Sequence, residues 1–124
     1  EDPRWGIFDY FIEQKKQGRI RHLGFSSHAD LPTLKLILDK YASEMEFCQL
    51  QINYLDWESD AIQSRLCYET CVKHGKKVIV MEPVKGGSLA NIPDRAKEIL
   101  KEIDADASPA AHAISPIRWK PNIE

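Results

Sequence analysis

The stretch Phe47-Cys48-Gln49-Leu50-Gln51-Ile52-Asn53-Tyr54-Leu55 alternates strictly, with Gln49, Gln51 and Asn53 set against Cys48, Leu50, Ile52 and Tyr54. Successive side chains of a β-strand point to opposite faces, so the pattern predicts a strand over residues 47–55 with one apolar and one polar face. A parallel strand covered on both sides is apolar on both. A strand of a barrel can instead turn polar residues inward near its C-terminal end, where the active sites of such folds lie. An edge strand with one solvated face gives the same alternation, so periodicity alone does not choose between a barrel sector and an open sheet.

Helices flank this strand on both sides. Upstream, Asp30 opens a helix with Pro32 in its first turn, and Leu34, Ile37, Leu38 and Tyr41 mark its buried face. Downstream, a helix over residues 59–74 has Ser59 as its cap and Gly75 as its stop. Further out lie two more strands. Residues 20–26 carry Leu23 and Phe25, place His22 in mid-strand, and run into the polar Ser26-Ser27-His28. Residues 78–81 are apolar throughout, as in a covered parallel strand. A first helix opens at Asp2-Pro3, buries Ile7, Phe8, Phe11 and Ile12, and ends with Lys15, Lys16 and Gly18. Near the C-terminus, residues 93–103 place Ala96, Ile99, Leu100 and Ile103 on one helix face. Ser108-Pro109 then starts a short alanine-rich helix, which Ser115-Pro116 breaks.

The order is αβαβαβα, which implies a parallel sheet with right-handed crossovers. Residues 1–114 form one unit and residues 115–124 a divergent, irregular tail.

Composition narrows the class. The chain has 124 residues, 43% hydrophobic and 29% charged, enough for one small globular domain. A formal net charge of −2 gives no broad attraction to nucleic acid or acidic lipid. No apolar run is long enough for a transmembrane helix, and residues 1–4 lack the order of a signal peptide. Three cysteines suit a reduced, cytoplasmic protein. Cys67 and Cys71 share a helix face, but a zinc site wants four ligands and Cys48 stands alone, so all three read as small buried hydrophobes and no metal ligand is assigned.

Three motifs stand in order along the chain. Residues 16–26, Lys-Gln-Gly-Arg-Ile-Arg-His-Leu-Gly-Phe-Ser, resemble the segment leading into the fifth barrel strand of the aldo/keto reductases. Residues 47–56, with Gln49, resemble that family's sixth strand. Residues 74–87, His-Gly-Lys-Lys-Val-Ile-Val-Met-Glu-Pro-Val-Lys-Gly-Gly, resemble the seventh strand and its glycine-rich loop. The resemblance covers about residues 5–114. It is closest to a prokaryotic subgroup whose full-length members often add a ferredoxin-like iron–sulfur segment; no cysteine run of that kind is present.

The resemblance implies an α/β fold, a partial TIM (β/α)8 barrel of about three parallel βα units. It implies NADP(H) or NAD(H) bound at the C-terminal strand ends and a small carbonyl substrate in the full-length parent. Ser26 and Ser27 match the two polar residues that hold the nicotinamide carboxamide, the second of which is typically Asn in the family. Gln49 matches the glutamine that bonds the same group. Met81 stands where many members stack an aromatic ring on the nicotinamide. Glu82, Val84, Lys85, Gly86 and Gly87 fall in the loop along the pyrophosphate, where Lys85 would compensate charge. Glycines also suit close approach to a phosphate for steric reasons alone.

The family's catalytic Asp, Tyr, Lys and His lie on strands before those matched here. His22, His28, Tyr54 and Asp56 are not taken as replacements, and no catalytic residue is assigned. The leading expectation is a fragment of an oxidoreductase that is inactive alone. The alternatives are a non-catalytic remnant that binds nucleotide or a protein partner, and an unrelated open sheet with a phosphate site at residues 85–87. Convergence of Ser26, Gln49 and Met81 on one mouth would separate the first two from the third.

Three parallel strands cannot close a barrel and leave two unpaired edges. The isolated chain is therefore expected to self-associate or to be marginally stable. Sedimentation combined with thermal melting checks this, and a sharp cooperative melt of a monomer would contradict it.

Overall fold

A computed structural model describes residues 5–115 and 122–123. The elements are α1 (Ile7–Lys16), β1 (Gly24–Ser27), α2 (Leu31–Tyr41), β2 (Phe47–Gln51), α3 (Ser64–Lys73), β3 (Lys77–Met81), a 3-10 turn (Ser88–Ala90), α4 (Asp94–Ile103) and α5 (Pro109–Ile114). The sheet has three parallel strands in the order β1-β2-β3. It is an α/β fold in which strands alternate with helices, the arrangement of one sector of a (β/α)8 barrel.

Register explains the layering. Phe25 pairs with Cys48 and Cys48 with Val78, so these three point to one side of the sheet. Leu34 and Leu38 of α2 and Cys67, Tyr68 and Cys71 of α3 pack on that side around Cys48, Leu50, Ile52 and Val78. A second cluster, Ile12, Leu23, Tyr41 and Met45, seats α1 against the β1 end. Phe8 joins the two: its ring stacks on Tyr41 at 4.7 Å and meets Phe25 edge-on at 5.9 Å. The helices α1 to α3 thus cover a single face. Cys48 and Cys71 are fully buried. The neighbouring Cys71 thiol and burial push the Cys48 thiol far above its ordinary range, so it stays protonated and packs as a hydrophobe.

Local chemistry sets the element ends. The Asp30 carboxylate accepts from the Thr33 amide at 3.1 Å and caps α2, with Pro32 in its first turn. The Ser108 hydroxyl caps α5 through the Ala111 amide.

The structure shifts several boundaries. β1 starts at Gly24, so His22 is not a mid-strand residue: it lies exposed before the strand, its Nδ1 2.7 Å from Glu46. β2 stops at Gln51, because the chain turns at residues 54–58; Asn53 is buried and Tyr54 exposed, the reverse of what an unbroken strand would give. α3 begins at Ser64 rather than near Ser59, since Gln63 takes a left-handed φ of 55° that interrupts any earlier helix. In α1 only Phe8 and Ile12 turn inward; Ile7 and Phe11 are exposed.

The apolar face of α4 is formed but only partly covered: Ala96 and Leu100 are half-buried, while Ile99 and Ile103 are exposed. The helix start expected at Asp2-Pro3 and the break at Pro116 lie outside the described residues. Of the tail expected to be irregular, Asn122 and Ile123 join the sheet. The Val78 amide donates to the Asn122 carbonyl at 2.7 Å, and Ile123 makes a parallel bridge to Val78.

Among the described residues no helix is long and apolar enough to cross a membrane.

Gly24 is required by packing. A Cβ there would stand 2.5 Å from both the ring and the carbonyl oxygen of Phe47, its partner on β2. The Gly24→Ala variant is expected to lose roughly 1–3 kcal/mol, the usual cost of overpacking, measurable by urea denaturation.

Candidate functional site

The face of the sheet opposite α1 to α3 carries the polar half of the alternation, and among the described residues no helix packs across it. Ser26 pairs with Gln49, and Gln49 with Ile79; Gln51 pairs with Met81. Ser26, Gln49, Gln51, Ile79 and Met81 therefore share the face opposite the helices. None of the five is buried. The Ser26 hydroxyl donates to the Met81 sulfur at 3.7 Å, so the thioether of β3 reaches across β2 to β1. Ser26, Gln49 and Met81 converge on one surface.

Ser27 does not join them. Strand alternation turns it to the helix side, where it is buried and its hydroxyl accepts from the Ala29 amide at 3.3 Å. With His28, Asp30, Gln51, Ser64 and Cys67 it lines a cavity of about 300 Å³ between the loops that follow β1 and β2. His28 itself is exposed.

The loop after β3 is held by a polar cluster that the sequence did not announce. Lys85 Nζ donates to both Asp56 carboxylate oxygens, at 2.5 and 2.7 Å. Asp56 is only 4% exposed. Its Oδ2 also accepts from Gln51 Nε2 and Asn53 Nδ2, each at 2.8 Å, and its amide donates to Asn53 Oδ1. Asn53 Nδ2 further donates to the Glu82 carbonyl at 3.2 Å. Burial, the largest single influence, raises the Asp56 pKa, but the hydrogen bonds from Lys85, Asn53 and Gln51 together outweigh it and hold the carboxyl below its ordinary value. The cluster ties the loop after β2 to the loop after β3.

That second loop is built from left-handed backbone. Glu82 (φ 58°), Lys85 (φ 50°), Gly86 (φ 60°) and Gly87 (φ 92°) all have positive φ. For Glu82 and Lys85 this is an uncommon conformation that surrounding structure must hold in place. The Val84 carbonyl helps, accepting from the Gly87 and Leu89 amides.

Of the residues singled out by sequence, Ser26, Gln49 and Met81 are brought together, and Glu82, Val84, Lys85, Gly86 and Gly87 form the adjacent loop. Ser27 faces elsewhere. The Asp56–Lys85 contact spans residues far apart in sequence; the one signal for it was the polar run Gln51, Asn53, Asp56 where an apolar alternation ended. The face offers a hydroxyl, an amide and a thioether, groups that recognise rather than exchange protons. Among the described residues no group of three or more His, Cys, Asp and Glu side chains is arranged to hold a metal ion.

Compared with known proteins, the chain matches the model of the aldo/keto reductase family over residues 3–114. No curated protein and no solved structure gives a significant match.

The Asp56 pKa sets a pH test. A carboxyl whose folded pKa is depressed contributes stability that is present above its unfolded pKa, near 3.8, and is lost as pH falls through the lower folded value. In Asp56→Asn the melting temperature is expected to fall less steeply than in the parent chain as pH drops below 3.8. At neutral pH the variant is expected to be less stable by roughly 1–3 kcal/mol, as the Lys85 charge loses its partner. A thermal-melt series over pH measures both.

Proposed function

Because this chain belongs to the aldo/keto reductase family, we propose that its uncovered sheet face and the 82–87 loop form a cradle for NADP(H) or NAD(H). The parent reaction is hydride transfer between the nicotinamide and a small carbonyl or alcohol substrate. The observation that carries this reading is the convergence of Ser26, Gln49 and Met81 on one face, next to a loop of left-handed backbone.

The residues suit the group they are proposed to hold. Gln49 can donate to and accept from a carboxamide at once, and the Ser26 hydroxyl can do the same. The Met81 sulfur is polarisable and can lie against a flat ring. A bound nicotinamide would supply or accept the hydride, and the chain's own residues would bind and orient it. Gly86 and Gly87 let the backbone come close to phosphate oxygens without interference from a Cβ, the Gly87 amide itself being donated to the Val84 carbonyl. Ser27, buried on the helix side, contributes by shaping the loop after β1 rather than through the shared face.

Among the described residues, no Asp, Tyr, Lys and His are gathered at this face as a proton-donating set. Asp56 is engaged by Lys85, and Tyr54 and His28 are exposed outside the Ser26–Gln49–Met81 group. The chain alone is accordingly expected to bind cofactor without turning over a carbonyl. This also favours the second reading, a non-catalytic nucleotide- or partner-binding member of the same fold. A cytoplasmic location accords with three cysteines present as free thiols, and an exposed sheet edge gives a route to self-association.

Titration with NADPH, followed by quenching of tryptophan fluorescence, tests the cradle. Saturable binding is expected, weakened about tenfold by Gln49→Ala, the loss of one good hydrogen bond. A folded chain showing no saturation with NADPH in the millimolar range would sink the reading.

A further inference from the structure

We propose that Asp56 is a positioning residue for phosphate recognition. Through Lys85 it fixes the backbone of the 82–87 loop, while the Lys85 ammonium itself stays on Asp56 and does not contact the phosphate. This rests on the cofactor reading above for its ligand, but its structural half stands independently.

Three observations lead here. First, both oxygens of the Asp56 carboxylate hold the Lys85 ammonium. Moving Lys85 to a ligand would leave a carboxylate that is 4% exposed without its counter-charge, an expensive state. Gln51 and Asn53 satisfy Asp56 with neutral amides, which cannot replace that charge. Second, Lys85 lies at the head of three consecutive left-handed residues, Lys85, Gly86 and Gly87. A lysine pays a steric penalty there that the glycines do not, and its side-chain anchor is the contact that offsets it. Third, Asn53 binds the Glu82 carbonyl while also binding Asp56, so Glu82 and Lys85, the start and the middle of the loop, are tied to the same carboxylate. A loop tied at these two points, with its Lys85, Gly87, Ser88 and Leu89 amides already donated to carbonyls within it, keeps a set backbone shape before any ligand arrives, which removes part of the ordering cost of binding.

The experiment titrates NADPH into the parent chain, Asp56→Asn, Lys85→Met, Lys85→Arg and the double variant Asp56→Asn/Lys85→Met, each over a range of salt. If Lys85 acts through the loop, Asp56→Asn and Lys85→Met each weaken binding by a similar factor, about tenfold. The double variant is then no worse than either single one. Lys85→Arg, which can still pair with a carboxylate, retains most of the affinity. The steepness with which binding falls with salt stays the same in Lys85→Met, because no direct phosphate contact has been removed.

A flatter salt dependence in Lys85→Met, with tighter binding in Asp56→Asn, would mean that Lys85 grips the phosphate directly, and would overturn the proposal. Hydrogen exchange of the amides of residues 85–89 in the same variants supplies a readout that needs no ligand. Faster exchange confined to this loop in both single variants supports positioning, and unchanged exchange refutes it. If the parent chain binds no NADPH, the cofactor reading fails, and loop exchange alone decides whether Asp56 and Lys85 fix the loop.

Discussion

β2 is hydrogen-bonded along both edges, and its two sets of side chains have opposite duties. Cys48, Leu50 and Ile52 lock α2 and α3 onto one face, while Gln49 and Gln51 are carried to the other. A slip of one residue would bury the amides and expose the apolar set, reversing both faces together. Neighbouring features follow from this phase. Ser26 and Met81 reach the open face because they stand in register with Gln49 and Gln51, and the core forms because Phe25 and Val78 stand in register with Cys48.

The sequence made the alternating core legible because period two is a local property. The same holds for the Asp30 and Ser108 caps, which involve residues three apart. What was hidden depends on conformations or contacts that no short window contains. Gln63 turns left-handed although nothing in its side chain demands it, so α3 starts later than Ser59 suggests. The partnership of Asp56 with Lys85 joins two loops across the strand ends, and neither residue type announces the other. Ser26 and Ser27 read as one polar pair, yet strand geometry sends them to opposite faces. The family resemblance gave an order of segments along the chain, but order alone does not tell which way a side chain points.

α4 illustrates the gap between pattern and packing. Its apolar stripe is well defined in sequence, and the helix forms, but Ile99 and Ile103 remain in contact with solvent. Amphipathicity states that a face requires a cover and says nothing about what supplies it. α2 and α3 differ because the sheet lies beneath them, so their stripes and the strand alternation satisfy one another.

The bridge from Ile123 to Val78 gives the sheet two unlike sides. A sheet open at both margins can recruit copies of itself without limit, since each addition renews the margin it consumed. Here one margin is already engaged, at Val78, by the chain's own Asn122 and Ile123, and β1 borders the other. A two-fold pair formed through β1 closes on itself, and its outer margins are then the β3 edges, each already engaged at Val78. The few residues that follow the last helix thus bear on whether association ends in a closed pair or runs on into a fibre.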